Sequence, residues 1–148
     1  MTARIFVDTN VFVYALDDSE AEKQRACDAW VAALWQSRSA CTSFQVLQEL
    51  YATVIRKLSP PLQIAEARQV VADLLEWKPL PNNERTLRDA WRLQDRVKLS
   101  WWDATIVASA LQQGCDYLLT EDLQAGRVID GMKILNPLEV GPTEILSL

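Results

Sequence analysis

Three acids stand at points where the chain changes character. Ile5-Phe6-Val7 is a short, bulky, β-favouring run, and Asp8 stops it. Asp116-Tyr117-Leu118-Leu119-Thr120 reads as a second buried strand, and it runs into Thr120-Glu121-Asp122. Asp103 falls in the opening turn of the most apolar helical stretch, just after Ser100-Trp101-Trp102. A carboxylate past the C-terminal end of a buried strand lies where open α/β sheets place their ligand sites. If Asp8, Asp103 and Asp122 met in one cleft they would repel, and one or more would take up a proton. Mg²⁺ or Mn²⁺ would remove that conflict, because both prefer oxygen ligands. Two such ions could activate water and stabilise the leaving oxygen of a phosphodiester. Each acid also has a plain structural reading: Asp8 helps to cap a helix, and Asp103 suits a helix dipole.

Composition narrows the chemistry further. The 148 residues contain no histidine, which excludes His-dependent triads, His-ligated metals and His acid/base pairs. Cys27, Cys41 and Cys115 are odd in number and widely spaced, and read as buried reduced thiols. Any hydrolysis must then rest on carboxylates. A net charge of −5 argues against blanket adhesion to nucleic acid but leaves room for a local basic track. With 49% hydrophobic residues and few Gly or Pro, residues 1–148 read as one compact, ordered domain. No apolar run approaches the ~20 residues that span a bilayer, and no signal-peptide pattern opens the chain, so a cytoplasmic protein with no membrane partner is expected.

The elements that must position these acids follow from periodicity. After the first strand, Val11 to Leu16 predicts a short helix, with Thr9 and Asn10 as caps. A longer helix, capped by Asp18 or Ser19, runs to about Ser37 with Trp30 on its apolar stripe; Trp30 and Trp35 read as packing residues. Ser39 to Ser43 predicts a short strand, and Ser43 a cap for a helix that carries Leu47, Leu50, Tyr51, Val54 and Leu58 inward until Pro60 and Pro61. Glu49 lies off that face and by periodicity is an ordinary solvated glutamate. A helix over Leu62–Leu75 precedes an extended connector or edge strand at Trp77–Pro81. Asn82 or Asn83 opens the next helix, where Arg85, Arg88, Arg92 and Arg96 form one basic stripe, either a solvated face or an RNA contact. In the helix that follows, Trp101 and Trp102 could stack on bases, but wedging the helix into the core is the simpler reading. Gly114 ends that helix, and Met132–Leu135 is the last strand. Alternating strands and helices predict an α/β fold, a three-layer α/β/α arrangement around a short parallel sheet.

Four ordered segments then resemble one family. They are Val7-Asp8-Thr9-Asn10-Val11 with Tyr14; Ser43-Phe44-Gln45-Val46-Leu47-Gln48-Glu49-Leu50; Leu99-Ser100-Trp101-Trp102-Asp103-Ala104; and Leu118-Leu119-Thr120-Glu121-Asp122-Leu123. Together with Gly126, Ile129 and Asn136-Pro137 they are similar to PIN-domain ribonucleases, and most to the VapC toxins of toxin–antitoxin pairs. The resemblance implies that Asp8, Glu49, Asp103 and Asp122 are the catalytic, metal-holding acids, overruling the periodicity reading of Glu49. It implies support from Asn10, Ser43 and Thr120, while Glu121 is an extra acid not separable from Asp122. The implied reaction is Mg²⁺-dependent endonucleolytic hydrolysis of RNA by metal-activated water. The implied partners are a small antitoxin, which inserts a segment into the acidic cleft, and a second copy in a homodimer. The tryptophans at 101 and 102 depart from the smaller aromatics usual there.

Other readings fit parts of the pattern. A PIN domain could serve RNA processing rather than intoxication. A phosphotransfer or phosphatase domain could use Asp8 as a covalent nucleophile, although Asn10 occupies the place of the second acid such sites carry. A non-catalytic receiver-like or scaffold domain could bind one Mg²⁺ and signal through shape.

Overall fold

A computed structural model describes residues 3–147. The apolar run after Arg4 forms strand β1 (Ile5–Val7), which is buried on both faces. It lies inside a five-stranded sheet with β2 (Ala40–Cys41), β3 (Tyr117–Leu119), β4 (Val128–Ile129) and β5 (Met132–Leu135), in the order β2-β1-β3-β5-β4. The first three pairings are parallel, and the β4–β5 edge is antiparallel. Parallel neighbours require crossovers, and among the described residues six of the seven α-helices lie in the first two of them, while the third passes through β4 and the last helix follows β5. The seven are α1 (Thr9–Leu16), α2 (Ala21–Ser37), α3 (Phe44–Val54), α4 (Ile64–Leu74), α5 (Glu84–Val97), α6 (Trp101–Gln112) and α7 (Pro142–Ile145). The result is the expected α/β/α architecture.

Register decides where the site lies. Val7 pairs with Leu119, so the residues that follow them, Asp8 and Thr120, emerge side by side at the same sheet edge. The ladder continues one step past the strands, with Asp8 N–H donating to Leu119 O at 3.1 Å and Thr120 N–H to Leu135 O at 2.9 Å. Helix α6 packs so deeply that every residue from Ala104 to Ala110 is buried, and this anchors Asp103 at its mouth.

Several local expectations change in informative ways. Asp8, not Thr9 or Asn10, is the α1 cap, and the helix starts at Thr9. Thr9 and Asn10 are thereby freed to point their side chains elsewhere. Helix α2 has Glu20 at its cap position with no side-chain bond, because Ser19 Oγ turns back to Asp17 Oδ1 at 2.6 Å. Helix α3 ends at Val54, short of Leu58, where Leu62 N–H takes the Val54 carbonyl at 3.0 Å. Trp77 closes a 3₁₀ turn (Leu75–Trp77) rather than opening an extended connector, and Leu80 alone bridges to Ser43. Trp30 is fully buried, and its Nε1–H donates to Val140 O at 2.8 Å. Trp35 packs on Trp77 with ring centroids 5.1 Å apart. Trp101 is partly buried against the core, but Trp102 is 64% exposed and wedges nothing. The hairpin edge β4 is absent from the sequence reading, although Asp130-Gly131 is a turn signal of the strongest kind; both residues have positive φ, 48° and 85°. The three cysteines are free and buried, as expected.

Candidate active site

Asp8 is the pivot. Its Oδ1 accepts from Thr9 N–H at 2.7 Å, which is the helix cap, and its Oδ2 accepts from Thr120 Oγ1 at 3.0 Å. Asn10, one step into the helix, ties the two strand ends together. Its Nδ2 donates to Thr120 Oγ1 at 3.0 Å and Asp122 Oδ2 at 3.1 Å, while its Oδ1 accepts from Glu121 N–H at 3.0 Å. Thr120 Oγ1 also accepts from Asp122 N–H at 3.1 Å. Glu49 reaches in from α3: its Oε2 accepts from Thr9 Oγ1 at 2.9 Å and its Oε1 from Gln45 Nε2 at 3.1 Å. Thr9, Asn10, Tyr14, Glu49 and Asp122 line one cleft of about 370 Å³.

The charges in this cleft are poorly compensated. Burial pushes the Asp8 carboxyl up to about 7, and the charges of Asp122 and Glu49 add to the rise, against hydrogen bonds from Thr9 and Thr120 that oppose it. Burial likewise raises Asp122, with the charges of Asp103, Glu121 and Glu49 acting in the same direction and the Asn10 bond opposing. Asp103, whose N–H is held by Ser100 Oγ at 3.2 Å, therefore faces the cluster electrostatically without a hydrogen bond to it. Among the described residues no basic side chain forms an ion pair with Asp8, Glu49, Asp103 or Asp122.

Glu121 differs from these four. Its Oε1 pairs with Lys23 Nζ at 3.0 Å, and Lys23 also donates to Tyr14 Oη at 3.3 Å and sits 4.5 Å from that ring's centroid. Glu121 is thus turned to a cation of the chain itself, and the backbone puts its neighbour Asp122 into the cleft. Ser43 is not a cleft residue either, since its Oγ caps α3 by accepting from Val46 N–H at 3.3 Å. The arginine stripe is occupied too. Arg85 and Arg92 pair with Asp89, Arg88 with Glu84, and Arg96 with Asp130.

A hard divalent cation fits the donor set, which is all oxygen and carries unpaired negative charge. The acids are not gathered into a closed cage, however. Among the described residues no three acidic or thiol side chains converge tightly enough to grip an ion. The reason is visible in the bonding: the Thr9 and Thr120 hydroxyls and the Asn10 amide stand between the carboxylates. Sequence reasoning missed Thr9, Gln45 and Lys23. The four-residue step from Gln45 to Glu49 was a usable signal; nothing local announces that Lys23 meets Glu121.

Solved structures share this fold. FitAcB from Neisseria gonorrhoeae superposes with a TM-score of 0.62 at 20% identity, covering 92% of this chain and 99% of that one. VapBC2 from Rickettsia felis, bound to a DNA fragment from its promoter, gives 0.61 at 15% identity, with 88% and 96% covered. The Mycobacterium tuberculosis toxin VapC20, described as cleaving the sarcin–ricin loop, gives 0.58 at 20% identity, with 77% and 86% covered. No curated protein sequence matches the chain. The sequence model of the PIN domain matches residues 5–130, a span that holds every acid of the cleft, and the chain belongs to the PIN-domain family.

Proposed function

We propose that this protein is a metal-dependent endoribonuclease, the toxin of a toxin–antitoxin pair, with Asp8, Glu49, Asp103 and Asp122 as its catalytic acids. The observation that carries the reading is that Glu49 and Asp122 line one cleft, that the buried Asp8 and Asp103 feel or add to their charge from beside it, and that among the described residues none of the four has an ion-pair partner. Such a site is built to be completed by a cation. Mg²⁺, or Mn²⁺ in its place, would supply Lewis-acid stabilisation of charge on a phosphodiester and lower the pKa of water. The residues of the chain do the positioning. Thr120 and Asn10 hold Asp8 and Asp122 in fixed relation, and Thr9 and Gln45 orient Glu49.

The toxin role, and with it an antitoxin partner, is supported by the fold's likeness to VapBC2 and to a toxin–antitoxin complex; a homodimeric assembly belongs to the same proposal. The Asn10–Asp122 cleft is the natural seat for an inhibitor's basic side chain, since an arginine would meet the same unpaired charge as the cation. The deciding experiment is cleavage of a mixed RNA pool by purified protein with Mg²⁺, with EDTA, and with Asp103→Asn. Discrete fragments that need both the metal and Asp103 support the reading. Intact RNA under every condition, with folded protein free of inhibitor, refutes it.

A further inference from the structure

A groove of about 670 Å³ opens beside the acidic cleft, between the starts of α3 and α6 and the approach to α5. Its apolar walls are Phe44, Leu87 and Trp102, which are 40%, 40% and 64% exposed. Its polar edge includes Gln45, Gln48, Asn82 and Glu84, the last already paired with Arg88 at 2.9 Å. The groove and the cleft share a wall: Asn82 Nδ2 donates to Gln45 Oε1 at 2.8 Å, and Gln45 Nε2 donates in turn to Glu49 Oε1 at 3.1 Å. Trp102 also precedes Asp103 directly in the first turn of α6. An occupant of the groove would therefore lie next to whatever the acids act on.

The lining defines the chemistry of that occupant. Lysine and arginine are absent from the groove, so a phosphate is not favoured there. Flat exposed rings beside amides suit a group with an apolar face and a hydrogen-bonding edge. Among the described residues the Gln48 amide and the Asn82 carbonyl oxygen have no hydrogen-bond partner, which leaves both free for such an edge. A nucleobase has this character, and it can enter only when unstacked and unpaired.

We propose that this groove is a nucleobase subsite: an unpaired base beside the scissile phosphate stacks on Trp102 and Phe44 and presents its edge to Gln48 and Asn82. The proposal rests on the nuclease reading and deepens it, adding a base-binding surface beside the acids. It also gives the large exposed side chain at position 102 a purpose that packing does not.

The test uses short single-stranded oligoribonucleotides spanning a mapped cleavage site, with the Asp103→Asn protein as the uncleaving background. Adding Trp102→Ala should weaken binding about ten-fold, the usual effect of losing one base–aromatic stack, and Trp102→Phe should retain most of the affinity. An oligonucleotide abasic next to the scissile bond should lose about as much, and the two losses should not add when combined. Fully additive losses, or no loss from either change, overturn the subsite while leaving the nuclease reading intact. Dissociation of a dimer on Trp102→Ala, by sedimentation, with the abasic probe bound normally, also overturns it and assigns the face to a second copy of the chain. Wild-type protein that neither binds nor cuts RNA overturns both readings together.

Discussion

Thr120 Oγ1 donates to Asp8 Oδ2 across 3.0 Å, joining residues 112 positions apart at the ends of adjacent parallel strands. The contact follows from register alone, since Val7 opposite Leu119 makes Asp8 and Thr120 the next rung. Replacing Thr120 by Val keeps the shape and removes the donor. A hydrogen bond to a buried charged group contributes about 1.5–3 kcal/mol, so activity should fall roughly ten- to hundred-fold while the circular dichroism is unchanged. Thr120→Ser should restore most of the rate. A Val variant with full activity would show that Asp8 needs no such support.

The raised Asp8 carboxyl makes stability depend on pH. Its ordinary value is 3.8 and burial lifts it to about 7, so the folded state holds the proton more tightly than the unfolded chain does. The associated stability is fully present below about pH 3.8 and is lost as pH rises through about 7. Asp122 is shifted in the same direction. Without divalent ions, Tm should therefore be higher at pH 5.5 than at pH 8, and Mg²⁺ should close most of the gap by stabilising the ionised cluster. Asp8→Asn should flatten the profile and blunt the Mg²⁺ response. Thermal melts at both pH values, with and without Mg²⁺, check this, and an unchanged Mg²⁺ response in the variant counts against Asp8 as a ligand.

Much of this architecture was legible in the sequence because it depends on local signals. Ser43 reads as a cap and is one, and Asn83, one of the two residues read as opening α5, is its cap, since a short oxygen side chain before an apolar-periodic run has little else to do. The strands at 5–7, 117–119 and 132–135 were plain from their apolar runs. What stayed hidden depends on contacts between distant elements. Periodicity placed Glu49 in solvent, correctly as to the core, but it has no means of seeing Thr9 waiting 40 residues away. It also could not show which of Trp101 and Trp102 faces inward, because α6 is apolar almost all round. Helix ends at Arg38, Lys78 and Lys98 adopt positive φ without glycine, and nothing in those side chains announces it.

Glu121 and Asp122 are neighbours turned to different partners. Glu121 is held by Lys23, which also donates to Tyr14, and Asp122 by Asn10 in the cleft. Asp122→Asn should cost about a hundred-fold in cleavage, and Glu121→Gln no more than about ten-fold, the lower end of what orienting residues around a metal site contribute. Metal titrations of the cleavage rate should show a weakened Mg²⁺ affinity in the Asp122 variant alone. Equal losses for the two would mean that Glu121 leaves Lys23 and joins the metal-holding set.

The arginine stripe of α5 reads from its spacing as either a solvated face or an RNA track. Each of its four members faces an acid within ion-pair reach, Asp89 serving both Arg85 and Arg92. A phosphate contact would release counterions and add about −0.7 to the slope of log affinity against log salt for a single strand. An arginine already neutralised by its neighbour releases few. Single Arg→Ala changes at 85, 88, 92 and 96 should therefore leave the salt slope of RNA binding almost unchanged and shift affinity by less than about two-fold, in keeping with the small worth of exposed pairs. Among the described residues Asp130 is held from another element only by Arg96, so Arg96→Ala should instead register as a modest loss of thermal stability at the β4–β5 hairpin. A slope that falls by a full contact on removing any one of the four would place RNA along α5 and extend the binding surface well beyond the acidic cleft.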